Sequence, residues 1–282
     1  MSYFPIQYNE PVFRPPSEWK SLIIQVTLGC SWNQCAFCEM YTSKQFRARK
    51  EEEVFADIDA FIPHAYQIRR VFLADGDPLV LSTNRLLRIL LHLRKTFPRL
   101  QRVSAYASPN NLIRKSLSEL QELKDAGLNL LFVGLESGDD EVLKMINKGE
   151  THTSMIEGLN KSKQAGLDSS VMIINGVGGK QFSEQHALNS AKLLNAIQPK
   201  YLSTLVLTAY KGMDYLKSRL KVDFMELNQR ELIEEMRLFI SHLDLQETIF
   251  RSDHASNHLI LKGAMGRDKA KFLNQIDEAL EF

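Results

Sequence analysis

Cys30, Cys35 and Cys38 are the only cysteines in this 282-residue chain, and they fall within nine consecutive residues in the spacing C-x4-C-x2-C. Three thiolates on one short loop can converge on a single metal centre, but they cannot complete a four-ligand site by themselves. An iron–sulfur cluster held by three cysteines keeps one iron open to an outside ligand, whereas four would close it into an electron carrier. Zinc is the competing reading, because a structural site takes a fourth Cys or His and a catalytic site can use three protein ligands. The loop leaves directly from the strand-like run at residues 22–26, Leu-Ile-Ile-Gln-Val. A metal there would sit at a strand's carboxyl end, where parallel α/β folds keep their active sites. Clustered thiols with no partner elsewhere argue for a reducing compartment, and the expected location is the cytoplasm.

Strand-like and helix-like segments alternate from residue 22 to about 207. Apolar strands are expected at 22–26, 71–74, 103–107, 130–133, 171–174 and 202–207. Helices are expected at 51–62, 82–97, from the capping-box pattern Ser116–Glu119 to Gly127, at 140–147, 153–165 and 183–197. Short, unalternating strands imply a parallel sheet buried on both faces, wound one way by right-handed crossovers. Six βα units fit either a curved partial barrel or an open doubly wound sheet. After residue 207 the rhythm changes. Two amphipathic helices, around Leu232–Leu243 and Phe272–Leu280, flank a possible strand at 248–250. Residues 1–207 are therefore expected as the core, and 208–282 as a short C-terminal α/β extension covering its open side.

The net charge of +1 offers no field to hold a polyanion, so no nucleic-acid partner is expected. The densest basic cluster, Arg47, Arg49 and Lys50, runs straight into Glu51–Glu53 and reads as a solvated helix start. Neither a signal peptide nor a membrane span is expected.

Each strand end then has to be inspected for polar or glycine-rich residues. Strand two ends in Ala74-Asp75-Gly76-Asp77-Pro78, suited to a turn with a helix cap or to accepting an ammonium. Strand three ends in Ser108-Pro109-Asn110-Asn111, a proline turn or a ligand contact. Strand four ends in Gly134-Leu135-Glu136-Ser137-Gly138, where a carboxylate could accept both hydroxyls of a ribose diol. Asn147-Lys148-Gly149-Glu150-Thr151 follows, and strand five runs into Ile174-Asn175-Gly176.

Taken with the cysteine loop, these segments resemble the radical S-adenosylmethionine (radical SAM) enzymes, in particular the coproporphyrinogen-oxidase-like and elongator-like branches. The family loop usually reads C-x3-C-x-Φ-C. Phe37 fills its aromatic place, and one extra residue separates the first two cysteines here. The resemblance implies a (β/α)6 partial TIM barrel with Cys30, Cys35 and Cys38 holding a [4Fe-4S] cluster. It implies Asp77, with Asp75 and Gly76, in the place of the segment that binds the methionine amino group. Glu136 would face the ribose, Lys148 would stand where the family has an arginine against the methionine carboxylate, and Ile174 and Gly176 would lie against adenine. Phe37 and Ser108 complete the expected cofactor contacts.

The implied activity is oxygen-sensitive: reductive cleavage of S-adenosylmethionine to a 5′-deoxyadenosyl radical, then hydrogen abstraction from a small-molecule substrate. The electron would come from a flavodoxin- or ferredoxin-like one-electron donor. With all cysteines on one loop, no cysteine-ligated auxiliary cluster is expected, which argues against sulfur insertion. No cobalamin-binding domain is expected within this length. An oxidoreductase-like or lyase-like outcome remains. His254 and Asn257, in the polar run of residues 251–258, are the candidates for substrate chemistry. The alternative is a non-catalytic iron–sulfur or zinc-binding protein on the same fold.

Overall fold

The computed structural model describes residues 5–220 and 222–281. The chain divides into two compact units. The first comprises the residues up to Asn33, Met40–Phe132 and Gly158–Asp168. The second comprises Gln34–Glu39, Val133–Glu157 and the chain from Ser169 on.

In the first unit β1 (Leu22–Gln25) leads to a two-residue strand, β2 (Thr27–Leu28), which pairs antiparallel with β3 (Arg47–Ala48). This ladder ties the chain entering the cysteine loop to the chain leaving it. Arg49 strengthens the closure: its Nη1 donates to Gln25 O at 3.0 Å and to Asp57 Oδ2 at 2.5 Å. The basic cluster is thus not simply a solvated helix start, since Arg49 is drawn in by a backbone carbonyl and a carboxylate. There follow α1 (Glu51–Asp59), β4 (Arg70–Ala74), α2 (Thr83–Thr96), β5 (Arg102–Tyr106), α3 (Pro109–Arg114) and α4 (Leu117–Asp125). β6 (Leu128–Glu136) contributes its first residues here. β1, β4, β5 and β6 are neighbours in that order and pair parallel.

These elements follow from local chemistry. Leu86, Ile89, Leu90 and Leu93 of α2 recur at helical spacing and are fully buried or nearly so, each burial contributing about 1.5–3 kcal/mol. The expected capping box forms: Ser116 accepts from Glu119 N, and the Glu119 side chain returns to Ser116 N. Phe72, Tyr106 and Phe132 meet edge to face, with centroids 4.9–6.4 Å apart.

In the second unit the rest of β6 is followed by α5 (Asp140–Met145), the first residues of α6 (His152–Gln164, whose remainder from Gly158 belongs to the first unit), β7 (Asp168–Asn175, from Ser169 on), α7 (Gly179–Ile197) and β8 (Tyr201–Val206). Then come α8 (Met213–Leu220), α9 (Gln229–His242), β9 (Ile249–Arg251), β10 (Lys262–Ala264) and α10 (Met265–Leu280). β7, β8 and β9 pair parallel, and β10 closes antiparallel on β9. Every strand expected between residues 22 and 207 is present, and the result is a mostly parallel α/β sheet with helices, consistent with a partial TIM barrel.

The strand expected at 248–250 is β9, and its pairing with β8 means that the sheet does not stop at residue 207. A second capping box, Asn228 with Glu231, opens α9. Among the described residues no helix is long and apolar enough to cross a membrane.

Candidate functional site

Asp75 anchors the start of the cysteine loop. The N–H of Gly29 donates to Asp75 Oδ2 at 2.9 Å, and the Gly29 carbonyl accepts from Gly76 N at 3.1 Å. Asp75 is fully buried, and its Oδ2 also accepts from Lys44 Nζ at 2.8 Å while Oδ1 accepts from Gln25 Nε2 at 3.2 Å. The Lys44 ammonium donates further to Asn9 O at 2.6 Å. A buried ion pair with this many hydrogen bonds is costly to break, because either partner alone would be an uncompensated charge. Asp75, expected against the cofactor, has both carboxylate oxygens engaged within the protein. Gly76 touches the loop itself: a Cβ there would stand 2.7 Å from Cys30 Cβ.

Asp77 is 2% exposed, and its Oδ2 gathers donors from three segments: Ser31 Oγ at 2.8 Å, Ser108 Oγ at 3.3 Å, and Asn111 Nδ2. Ser108 also caps α3, accepting from Asn111 N, with Pro109 in the first turn. The ends of β4 and β5 thus bring Asp77 and Ser108 together. The structure adds Ser31 and Asn111, which sequence reasoning had not singled out. The Ser-Pro helix start was the available signal, since it fixes Asn111 three residues into the cap.

In the second unit the end of β6 carries Glu136, 4% exposed and at φ +66°. A non-glycine residue in the left-handed region is uncommon, and such strain concentrates at functional positions. Glu136 Oε1 accepts from Lys148 Nζ at 2.8 Å, while Oε2 is buried with no hydrogen-bond partner among the described residues. A Cβ on Gly134 would lie 2.1 Å from Glu136 Oε1, so only glycine leaves room for this carboxylate. Burial acts to lower the Lys148 pKa, but the Glu136 carboxylate, and after it Cys35 and Cys38, carry it above the ordinary lysine value.

The backbone around Cys35 and Cys38 is pinned by Ala36 N to Ile146 O at 2.8 Å, Asn147 Nδ2 to Gln34 O at 3.2 Å, and Arg219 Nη1 to Cys38 O at 3.1 Å. Arg219 lies on α8, a helix the sequence reading did not contain. Cys30, Cys35 and Cys38 form no disulfide among the described residues and are half-buried, as is Phe37. Among the described residues no three His, Cys, Asp or Glu side chains are gathered closely enough to hold a metal ion by themselves, the cysteines included.

At the end of β7, Ile174 is buried and Gly176 N donates to Glu235 Oε1 at 2.6 Å, while Glu235 Oε2 accepts from Ser183 Oγ at 2.6 Å. Glu235 arrives from α9, 59 residues on, where only the helical spacing was legible. Nearby, Ser137 Oγ and His186 Nδ1 lie 2.8 Å apart, and burial holds the His186 pKa below its usual value.

The polar tail segment caps β8: Val206 N donates to Ser256 Oγ at 3.1 Å, and Asn257 Nδ2 donates to Thr204 O at 2.9 Å. Asn257 Oδ1 is buried without a partner and borders a cavity of about 20 Å³ shared with Asn175, Val206, Leu232 and His258, which is room for about one water. His254 is exposed, its Nδ1 2.8 Å from Ser256 Oγ.

A model of the radical SAM superfamily matches residues 24–194. A putative methylthiotransferase of Methanocaldococcus jannaschii is 24% identical over 156 residues, covering 52% of this chain and 33% of the relative. The chain spans only 33–40% of the curated relatives it matches. Among solved structures, coproporphyrinogen III oxidase (HemN) from Escherichia coli aligns with a TM-score of 0.60 at 17% identity, over 78% of this chain and 52% of that one. The Elp3 of Methanocaldococcus infernus aligns with a TM-score of 0.54 at 14% identity, over 92% and 64%. At these identities the two structures speak for the fold.

Proposed function

The chain belongs to the radical SAM superfamily, and from that premise we propose that it is a [4Fe-4S]-dependent enzyme that cleaves S-adenosylmethionine and takes a hydrogen atom from a small substrate. When bound, the cluster and S-adenosylmethionine supply reductive scission of the sulfonium to a 5′-deoxyadenosyl radical. The chain's own residues bind, orient and exclude water.

The observation that carries the reading is Glu136: a buried carboxylate at a strand end, one oxygen held by Lys148 and the other without a partner. A buried acceptor in that state is suited to a ligand hydroxyl or ammonium. The donor set also fits, because three cysteines outside any disulfide among the described residues, on one tethered loop, would leave one iron of a cluster for an outside ligand. Cys30, Cys35 and Cys38 would hold the cluster, with Phe37 packed beside it. Asp77, with Ser108 and Gly76 alongside, would receive the methionine ammonium. Lys148 would steady Glu136 and face the methionine carboxylate, and Ile174 and Gly176 would border adenine. Asp75 would act one step back, holding Gly29 and hence Cys30 in position. Residues 208–282 would close the substrate side, a role supported by the bonds of Ser256 and Asn257 to β8.

The reaction on substrate would be oxidoreductase-like or lyase-like, with a flavodoxin- or ferredoxin-like protein supplying electrons. Sulfur insertion is not carried over from the methylthiotransferase relative, since Cys30, Cys35 and Cys38 leave no thiol for a second cluster within these residues.

The test is anaerobic reconstitution with iron and sulfide, then dithionite and S-adenosylmethionine. Methionine and 5′-deoxyadenosine should accumulate even without substrate, and Cys35→Ala should abolish both. Zinc bound without acid-labile sulfide, or a bound cluster with no cleavage, would overturn the proposal.

A further inference from the structure

The second unit's sheet has one face covered by its own helices and one that is not. Leu202 and Phe250 are fully buried on the helical face, with the Phe250 ring 5.7 Å from Phe272 of α10. Alternation along the strands puts Tyr201 and Ser203 of β8 and Arg251 of β9 on the opposite face, where they are half-buried. The register aligns one row across four strands: Met172 opposite Ser203, Ser203 opposite Arg251, and Arg251 opposite Lys262.

Arg251 and Lys262 are thus two cations facing each other directly across an antiparallel pair, an arrangement that costs stability unless an anion offsets it. Lys262 has one, Asp253 Oδ2 at 3.2 Å. Arg251 has none among the described residues. Its guanidinium stands 5.7 Å from the Tyr201 ring centroid, and its Nε is buried with no hydrogen-bond partner. A planar fork of donors, stacked on an aromatic ring and free of carboxylates, is built for bidentate capture of an oxyanion. Arg251 is the last residue of β9, level with Ser203, the third residue of β8, so its row lies along the strands and not at their carboxyl ends.

We propose that Arg251, with Tyr201 and Ser203, forms a subsite for an oxyanion carried by the substrate, a carboxylate or a phosphate. The adjoining Met172 receives the apolar part of the same molecule. The subsite deepens the proposed function, since it assigns a charge class to the substrate.

The full chain and its Arg251→Gln and Arg251→Lys variants are titrated with sodium phosphate and, separately, with sodium propionate, at ionic strength held constant with chloride. Melting temperature is the readout. The wild type should show a saturable rise with at least one of the two anions beyond chloride. That affinity should fall about tenfold or more in Arg251→Gln, and less in Arg251→Lys. A response to phosphate alone assigns a phosphate ester, and a response to propionate alone assigns a carboxylate. No rise in the wild type, or an equal rise in Arg251→Gln, overturns the subsite. Should Arg251→Gln fail to fold, the wild type against Arg251→Lys makes the same comparison.

Binding of S-adenosylmethionine to the reconstituted protein should be unchanged in the variants. A tenfold loss there would assign the guanidinium to the cofactor's carboxylate and overturn the substrate assignment. If the wild type cleaves no S-adenosylmethionine, the enzymatic reading falls while the anion titration still stands. If cleavage is intact and the titration is flat, only the subsite falls.

Discussion

The carboxylate of Glu136 is divided between two tasks: Oε1 accepts from Lys148 Nζ at 2.8 Å, and Oε2 is buried with no partner among the described residues. The division has a physical basis. A carboxylate cannot stay ionised in a buried site without a counter-charge, and Lys148 supplies one while reaching only one oxygen. The other keeps its acceptor capacity for a ligand. The glutamate's left-handed backbone and the missing side chain at Gly134 both serve this one placement.

Glu136→Gln should separate the two tasks. A neutral amide leaves the Lys148 ammonium buried without its counter-charge, at a cost of about 3 kcal/mol, read as a lower melting temperature. S-adenosylmethionine affinity, measured by equilibrium dialysis, should drop about tenfold or more because the amide replaces one acceptor oxygen with an N–H donor and removes the charge that strengthens the bonds to the other. In the double variant Glu136→Gln with Lys148→Met, stability should recover in part and binding should not. Unchanged affinity in the single variant would remove Glu136 from the site.

Gly134→Ala tests the same carboxylate through space alone. The new methyl would lie 2.1 Å from Glu136 Oε1 and 3.4 Å from Lys148 Nζ, so the glutamate must turn away. Circular dichroism should show an intact fold and dialysis a loss of S-adenosylmethionine binding comparable with that of Glu136→Gln. Wild-type affinity would mean that the carboxylate's orientation is irrelevant to the ligand.

The course of the sheet was legible because apolar runs such as Val71–Ala74 and Val171–Ile174 report two-sided burial directly. The strand-end positions were legible because Asp77 and Glu136 stand where βα turns must fall. What could not be read was pairing across long separations. Lys44 meets Asp75, and Glu235 meets Gly176, through tertiary folding that leaves no local pattern. Lys148 shows the same limit: the resemblance implied a contact with the methionine carboxylate, and nothing in the sequence announced the ion pair with Glu136. β2 and β3, two residues each, are too short to display any period.

Asp75→Asn should loosen the cysteine loop without touching a cysteine. The amide breaks the fully buried pair with Lys44 and weakens the acceptor for Gly29 N. Stability should fall by about 3 kcal/mol, and iron bound per chain after reconstitution should fall with it. Asp75→Asn combined with Lys44→Met removes the stranded charge, so melting temperature should rise again while iron content stays low. Full iron loading in both variants would show that the tether does not position Cys30.

His186 gives the chain a pH dependence whose sign can be worked out. Its imidazole is buried, and burial disfavours the charged form. The carboxylates of Glu235, with Oε1 3.9 Å from Nε2, and of Asp139 oppose that effect without cancelling it. The folded pKa therefore lies below the unfolded value of about 6.5. Above that value both states are neutral at this residue and stability is at its full level. As pH falls below it the unfolded chain takes up a proton that the folded chain refuses, and stability declines by up to about 1.4 kcal/mol per pH unit from this group. The decline ends only once the folded pKa is passed. Melting temperatures between pH 7.5 and 5 should fall more steeply for the wild type than for His186→Gln, which has no proton to refuse. Equal slopes would mean that the imidazole titrates alike in both states, and that its burial beside Ser137 is relieved before the proton arrives.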